Sequence, residues 1–142
     1  GFKALKGNLP KTDMGWEIYP EGLTEVIMKL IKNYSKKTPI YITENGMANR
    51  DCLKNGKIND FERIKFYSDH LKQCKILIEK DIPLKGYFAW SLLDNFEWAY
   101  GYSKRFGIVY VDFNNLKRIP KLSWKEFKKC EQKYWNWYAE QK

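Results

Sequence analysis

Two glutamates directly follow β-prone stretches of this 142-residue chain, where their carboxylates could do chemistry. Glu44 ends the run Ile40–Thr43 and precedes the turn signal Asn45-Gly46. Glu97 comes just past the near-continuous apolar run Gly86–Leu93. The carboxyl ends of parallel strands meet at one rim of a sheet, and α/β enzymes build their sites there. We therefore expect both carboxylates at one rim, although a single glutamate at the end of a strand can equally cap a loop.

Large aromatic and amide side chains accompany the two acids. The set comprises Trp16, Trp90, Trp98 and Phe106, together with Asn45 and Asn95. Carboxylates and amides hydrogen-bond to hydroxyl groups, while a flat indole ring packs against the apolar face of a pyranose. Each ring alone is compatible with ordinary core packing, but the whole set at strand ends favours a sugar-binding site.

The charge of the chain gives no reason to expect a nucleic-acid partner. The formal net charge is +9, but the lysines are scattered through every predicted helix. The longest basic cluster, which includes Lys128 and Lys129, shares its helix with Glu126 and Glu131, as is typical of a solvated surface. We also expect no membrane partner, because no apolar run approaches the roughly 20 residues that a membrane span needs.

Three cysteines, Cys52, Cys74 and Cys130, form no CxxC pair and no even framework. We expect neither a metal site nor a cofactor, and we expect Cys74 to be a small buried apolar residue. The N-terminus shows no signal-peptide pattern, so the sequence predicts a cytoplasmic protein.

Apolar residues recur every three or four positions in three stretches, which predicts three amphipathic helices. The first follows Pro20 and ends near Tyr34, and the second covers Ile64 to Ile78. Capping boxes are predicted for the second helix (Asn59 with Glu62) and for the last helix (Ser123 with Glu126). The last helix would carry Phe127, Cys130, Tyr134 and Tyr138 on one face.

The strands predicted between these helices are Ile40–Thr43, the run Gly86–Leu93, buried on both faces, and a β-prone stretch Ile108–Phe113. Strands that alternate with helices indicate an α/β protein with a parallel sheet. Two main strands cannot make a self-standing parallel sheet with both faces covered. We therefore expect this chain to be part of a larger α/β architecture.

The motifs at these strand ends resemble those of glycoside hydrolase family 1, the β-glucosidase family. Thr43-Glu44-Asn45-Gly46 is similar to its nucleophile motif, and Tyr87–Trp98 to its other most recognisable segment. Further matches in order and approximate spacing run from Lys11 to about Lys128: Gly15–Gly22, Asp60, Arg63, Tyr67, His70, Arg105–Gly107 and Val111-Asp112.

The resemblance implies a partial (β/α)8 TIM barrel, with only the last strands, seven and eight, and their helices. Residues 1–142 would be the C-terminal portion of a single catalytic barrel, from which strands one to six are absent. The missing N-terminal barrel segment would then be a partner of this chain.

The resemblance also implies a retaining β-glycosidase, in which two carboxylates stand about 5–5.5 Å apart. Glu44 would be the nucleophile that forms a covalent glycosyl-enzyme. The family's acid/base glutamate lies in an Asn-Glu-Pro motif that this sequence lacks. The chain would supply only the nucleophile half of the pair and be inactive alone. The alternative is a non-catalytic glycan-binding or receptor-like relative of the same barrel.

The resemblance assigns the remaining site residues to substrate binding. Glu97 would bind sugar hydroxyls, Trp90 would line the floor, Trp98 would donate from its indole N–H, Phe106 would close the wall near C6, and Trp16 would lie on the aglycone side.

A carboxylate at Glu97 would repel a phosphate dianion. The resemblance implies a terminal β-D-glucosyl residue of a β-glucoside or oligosaccharide as the substrate, and the charge of Glu97 predicts that this residue is unphosphorylated, despite the nearby Lys104. The single histidine, His70, is predicted to lie mid-helix, far from the strand rim, in a packing or hydrogen-bonding role.

Overall fold

The computed structural model describes residues 7–35, 37–129 and 132, in which helices and strands alternate. The elements in chain order are α1 (Glu21–Asn33), β1 (Ile40–Asn45), α2 (Phe61–Glu79), β2 (Leu84–Ala89), β3 (Val109–Asp112), β4 (Lys117–Pro120) and α3 (residues 122–129). A short 3-10 helix, Trp98–Tyr100, lies between β2 and β3. Among these residues no helix is both long enough and apolar enough to span a membrane.

Strands β1 and β2 pair in parallel, as the alternation of helices and strands predicts. Ile40 lies opposite Leu84, and Asn45 lies opposite Ala89, so both strands end at the same rim. β1 includes Glu44 itself. β2 is shorter than predicted, because the chain leaves the sheet after Ala89 and residues 91–94 instead bond to the backbone of residues 106–109.

One face of the β1–β2 pair is covered by α1 and α2. The buried residues between them are Ile27, Ile31, Ile42, Cys74, Leu77 and Leu84. Cys74 is one of them, as predicted, and burial raises the pKa of its thiol to about 12. This interface therefore buries Ile27 and Ile31 of α1 and Cys74 and Leu77 of α2, which recur at the helical spacing.

A second apolar cluster lies beneath the rim at which β1 and β2 end. It contains Met47, Phe66, Tyr67, Ile108 and Val109, with Trp124 and Phe127 of α3 packed against it. Of the other residues predicted on that face of the last helix, Cys130, Tyr134 and Tyr138 lie outside the described part of the chain.

The opposite face of the sheet is open, so the prediction that the second strand is buried on both faces was wrong for this chain. Phe88 of β2 is 57% exposed, Tyr41 of β1 is 55% exposed and Leu92 is 60% exposed. Within the described residues, β1 pairs with β2 alone and its other edge is free. The apolar run Gly86–Leu93 is typical of a strand that is packed on both faces, whereas among the described elements helices pack on only one face of the sheet.

Strands β3 and β4 form an antiparallel hairpin, with Tyr110 opposite Ile119. β3 corresponds to the predicted stretch Ile108–Phe113, whereas β4 was not predicted. Its sequence, Lys117-Arg118-Ile119-Pro120, has little β-propensity. It forms a strand because its backbone pairs with that of β3.

Both predicted capping boxes were wrong in detail. The N-cap of α2 is Asp60 and not Asn59, and Glu62 instead accepts a hydrogen bond from Asn49. The Asp60 carboxylate accepts hydrogen bonds from the backbone N–H of Ser123 (2.9 Å) and from its hydroxyl (2.6 Å). One acid at the start of α2 thus satisfies the start of α3, a tertiary contact that no local pattern reveals.

Candidate active site

All six predicted site residues line one cavity of about 420 Å³ at the rim where β1 and β2 end. They are Trp16, Glu44, Trp90, Glu97, Trp98 and Phe106. Glu44, which lines this cavity, is exposed. The structure therefore brings together two carboxylates and four aromatic rings from segments that are far apart in sequence.

The ends of β1 and β2 are fastened to each other beside Glu44. The backbone N–H of Trp90 donates to the carbonyl of Asn45 (2.8 Å), and the Tyr87 hydroxyl donates to the Asn45 side-chain oxygen (2.6 Å). From α2, the Tyr67 hydroxyl donates to the Trp90 carbonyl (3.1 Å). Burial raises the pKa of both tyrosines, which keeps the hydroxyls neutral donors.

Gly46 makes this junction possible because the Trp90 backbone crosses directly over it. A Cβ atom added at Gly46 would lie 1.6 Å from the Trp90 carbonyl oxygen. The glycine of the Asn45-Gly46 pair is therefore required by close packing as well as by the turn. The Trp90–Ser91 peptide bond is cis.

Glu97 and Trp98 stand on a tight loop that the 3-10 helix Trp98–Tyr100 closes. The backbone N–H of Glu97 donates to the Gly101 carbonyl (2.7 Å), and that of Tyr100 donates to the Glu97 carbonyl (2.8 Å). Trp98 has a φ of +39°, unfavourable for a non-glycine residue, and its side chain is 83% exposed. An exposed indole held in a strained backbone conformation is a feature of a ligand-contacting position.

The far wall of the cavity is built from Trp16 and Phe106. Their ring centroids are 5.9 Å apart and their planes are inclined at 47°. Phe106 is 3% exposed and Trp16 is 53% exposed. Phe106 thus forms the fixed base of this wall, and Trp16 is its solvent-facing part.

A buried cluster of charges lies behind the loops that carry Glu97 and Phe106. Asp94 accepts hydrogen bonds from Arg105 (2.6 Å) and Lys121 (2.7 Å), and also from the backbone N–H groups of Gly107 (3.0 Å) and Val111 (3.3 Å). It therefore holds the two sides of the loop region together, three residues before Glu97.

The cluster continues from Lys121 through Asp51 to Arg63. Lys121 donates to Asp51 at 2.5 Å, and Arg63 contacts both oxygens of Asp51 at 2.9 Å. Arg63 also pairs with Asp60 and donates to the Arg105 carbonyl (2.8 Å). Three acids (Asp51, Asp60, Asp94) and three bases (Arg63, Arg105, Lys121) thereby neutralise one another below the cavity.

This environment shifts the pKa values of its bases in opposite directions. Burial lowers the pKa of Lys121, as does the charge of Arg63, and these effects outweigh the attraction of Asp51 and Asp94. Burial also acts to lower the pKa of Arg63, but its hydrogen bonds and charge interactions with Asp51 and Asp60 raise it overall. Asp51 and Asp94 thus favour the charged form of Lys121 against the effect of its burial.

His70 lies within α2 as predicted and is buried, but the prediction that it is far from the rim was wrong, because it lines the same cavity together with Phe66. Its Nδ1 lies 2.7 Å from the Phe66 carbonyl, which can only accept, so this nitrogen carries the proton. Its ring stacks on Phe66 with centroids 3.9 Å apart. Both interactions agree with the predicted packing and hydrogen-bonding role.

Sequence reasoning missed several other residues of the cavity, namely Thr12, Glu17, Tyr19 and Phe66. Glu17 and Tyr19 belong to the Gly15–Gly22 motif, and that motif was the available signal for them. Within the residues that the structure describes, no group of three or more His, Cys, Asp or Glu side chains is arranged to hold a metal ion.

Comparison with known proteins gives consistent relatives. The model of the family described as Glycosyl hydrolase family 1 matches residues 3–134. The 1,4-beta-D-glucan glucohydrolase of Thermotoga neapolitana is 55% identical over 120 residues, covering 84% of this chain and 27% of that protein. A 6-phospho-beta-galactosidase of Streptococcus equi subsp. zooepidemicus is 45% identical over 123 residues, covering 87% of this chain and 26% of that protein.

Among solved structures, the GH1 beta-glucosidase from Exiguobacterium antarcticum B7 superimposes with a TM-score of 0.89 at 44% identity. The match covers 92% of this chain and 29% of that chain. The chain therefore spans just over a quarter of the length of the relatives that it matches.

Proposed function

The chain belongs to glycosyl hydrolase family 1, and from this membership we propose that residues 1–142 are the C-terminal portion, with strands seven and eight, of a retaining β-glycosidase barrel. In this assignment β1 is strand seven and β2 is strand eight. The observation that carries the proposal is the cavity in which Glu44 and Glu97 share one rim with three tryptophans and Phe106.

Glu44 is the nucleophile in this proposal. One of its carboxylate oxygens attacks the anomeric carbon, and the bond from that carbon to the aglycone oxygen breaks as a second, protonated carboxyl group gives that oxygen its proton. This second group, now ionised, then removes a proton from water, the water oxygen attacks the anomeric carbon, and the ester bond to Glu44 breaks. The acid/base carboxylate comes from the barrel segment that this chain does not contain.

The glycone is held by the residues around Glu44. Glu97 accepts hydrogen bonds from sugar hydroxyls, the Trp98 indole N–H donates to one, and Trp90 supplies the apolar floor. Trp98 is 83% exposed in this chain, and in the proposed enzyme the sugar and the remaining barrel cover it. The open face of the sheet, with Phe88 and Leu92 exposed, supports a neighbouring segment on that side.

The substrate is an unphosphorylated β-D-glucosyl residue. The relatives include a 6-phospho-beta-galactosidase, so a phosphorylated substrate is the competing possibility. The carboxylate of Glu97 in the cavity opposes a phosphate dianion. The Lys104 ammonium, a candidate ligand of such a group, is already bonded to Asp13 at 2.7 and 3.0 Å.

A completed barrel tests the proposal, made by joining residues 1–142 to the part of the Thermotoga neapolitana relative that precedes its matching region. We expect it to hydrolyse an aryl β-glucoside and a 2-fluoro glucoside to label Glu44, as located by mass spectrometry. Glu44→Gln should abolish turnover and labelling. A label on another residue would reject the nucleophile assignment, and glucoside binding without turnover would favour a glycan-binding protein.

Residues 1–142 alone provide the matching negative control. Because half of the carboxylate pair is absent, we expect no measurable turnover of the same aryl glucoside. Turnover by the purified chain that Glu44→Gln removes would contradict the assignment of the acid/base group to another segment.

A further inference from the structure

Lys104 makes an unusual set of contacts for a loop lysine. Its ammonium nitrogen lies 2.7 Å from the Asp13 carbonyl oxygen and 3.0 Å from the Asp13 carboxylate. It also sits over the Tyr100 ring, 5.5 Å from the centroid. Both side chains of the ion pair are largely buried. The contact therefore joins two loops 91 residues apart with little screening by solvent.

Asp13 belongs to the turn of residues 12–16 that presents Trp16, hereafter the Trp16 turn. Within it, the backbone N–H of Thr12 donates to the Trp16 carbonyl (2.8 Å) and that of Gly15 to the Thr12 carbonyl (2.9 Å). The backbone N–H of Asp13 donates to the Ala48 carbonyl at 3.0 Å, which ties the turn to the segment after β1. Asp13 is thus the residue through which the Trp16 turn is attached to the rest of the site.

Lys104 and Phe106 hold the Trp16 turn from the same loop. Phe106 packs against the Trp16 ring, and Lys104, two residues earlier, bonds to Asp13. An apolar contact alone leaves a ring free to slide, whereas a charge-assisted bond to a backbone carbonyl fixes the position of the turn. The position of Trp16 relative to Phe106 therefore depends on both residues.

The carboxylate of Asp13 is ionised by these partners. Burial acts to raise its pKa, but hydrogen bonds from Arg50 and Lys104 outweigh burial and lower it. The Arg50 side chain is 90% exposed, while that of Lys104 is mostly buried. Lys104 is consequently the stronger of the two attachments.

We infer that the Asp13–Lys104 pair is a positioning device for Trp16, and that it sets how the site accepts the aglycone part of a β-glucoside. The inference rests on the proposed function, since it concerns the same cavity. Lys104 touches no substrate in this account. It acts through Asp13 on the Trp16 turn, so it affects substrates that extend beyond the glucosyl unit and leaves the chemistry at Glu44 unaffected.

Hydrogen–deuterium exchange tests the structural half of the inference without any activity. In the completed barrel, Lys104→Met should speed exchange in the peptide that spans residues 11–18 by roughly tenfold, with other peptides unchanged. Lys65→Met, which removes an exposed ion pair with Asp69 on α2, is the matched control. It should leave exchange over residues 11–18 unchanged. Unchanged exchange over residues 11–18, or a uniform rise across the protein, overturns the inference.

Kinetics test the functional half with two substrates that share the glucosyl unit. For a cello-oligosaccharide, we expect Lys104→Met to lower kcat/KM roughly tenfold, chiefly through KM. For β-glucosyl fluoride, which has no aglycone to contact Trp16, kcat/KM should stay unchanged, and Lys104→Arg should recover part of the oligosaccharide rate. Equal losses on both substrates, or no loss on either, would refute a role in aglycone selection.

The two proposals fail in different ways. A wild-type completed barrel that hydrolyses neither substrate would reject the proposed function, whereas the exchange experiment would still decide whether Lys104 holds the Trp16 turn. Normal hydrolysis with no effect of Lys104→Met on exchange would reject only the inference.

Discussion

At the scale of single residues, the junction between the ends of β1 and β2 beside Glu44 is tightly packed. Gly46 lies under the Trp90 carbonyl, and the Tyr67 and Tyr87 hydroxyls bond to the same two strand ends. Residues other than the proposed catalytic and sugar-binding groups therefore determine the positions of Glu44 and Trp90. Small changes at these positions should affect the site and the stability together.

Gly46→Ala should be strongly destabilising, because the new methyl group would overlap the Trp90 carbonyl oxygen. We expect a loss of about 2 kcal/mol or more in the free energy of unfolding of the completed barrel. The 2-fluoro glucoside should also label Glu44 more slowly. Gly56→Ala is the control, since open space surrounds it and only its φ of +72° opposes alanine, at about 1 kcal/mol. Normal labelling in Gly46→Ala would show that the junction tolerates displacement.

Protonation of His70 should make the folded protein less stable at acidic pH. Burial lowers its pKa below the ordinary 6.5, against the raising effects of the Phe66 carbonyl and the charges of Asp69 and Glu21. The unfolded chain then binds the proton more readily than the folded one, so stability is complete above pH 6.5 and falls as the pH drops below it.

Denaturant unfolding of the completed barrel between pH 7.5 and 5 measures this effect. His70→Gln should flatten the slope in that window. Asp13 and Asp69 have lowered pKa values and lose their contribution only at more acidic pH, so they do not mask it. An identical slope in wild type and His70→Gln would contradict the prediction.

At the scale of elements, the helices and the parallel strand pair follow from local patterns, whereas their ends do not. The spacing of Ile27 and Ile31, and of Cys74 and Ile78, contributes to the prediction of α1 and α2, because apolar faces recur at the helical period. The end of β2 depends on the pairing of residues 91–94 with residues 106–109, and β4 exists only because β3 lies beside it. Such tertiary pairing has no signature in a short window.

The shared cap at Asp60 gives the element scale its own prediction. Asp60→Ala would leave Arg63 without one of its two acids and the first turn of α3 without an acceptor, so we expect a loss of about 3 kcal/mol. Ser123→Ala keeps the backbone N–H bond to Asp60 and should lose only about 1 kcal/mol. Chemical denaturation of the completed barrel measures both. Equal losses would mean that the hydroxyl, and not the link between helices, is what matters.

At the scale of the whole molecule, the chain presents a covered face and an open one. The prediction that it is part of a larger α/β architecture came from counting strands, and the exposed Phe88, Tyr41 and Leu92 agree with it. The six predicted site residues came from the family motifs, and all six line the cavity. The contact between Lys104 and Asp13 that supports the Trp16 turn could not be predicted, because these residues lie far apart in sequence.

Residues 1–142 on their own should self-associate. The free edge of β1 and the apolar open face both favour contact with another chain. Sedimentation velocity should show association that increases with concentration, and the completed barrel, in which the face is covered, should not show it. A monomeric sample of residues 1–142 that melts cooperatively would contradict this expectation.

The buried charges below the cavity also limit where this polypeptide can be divided. Asp51 comes from the segment after β1, Arg63 from α2, Asp94 from the segment after β2 and Lys121 from the start of α3. A cut anywhere between Asp51 and Lys121 leaves each piece with acids and bases that lack their counterparts, and neither piece can bury them at acceptable cost. A split form of this protein with its break between Asp51 and Lys121 should therefore be less stable than one whose break lies outside that interval.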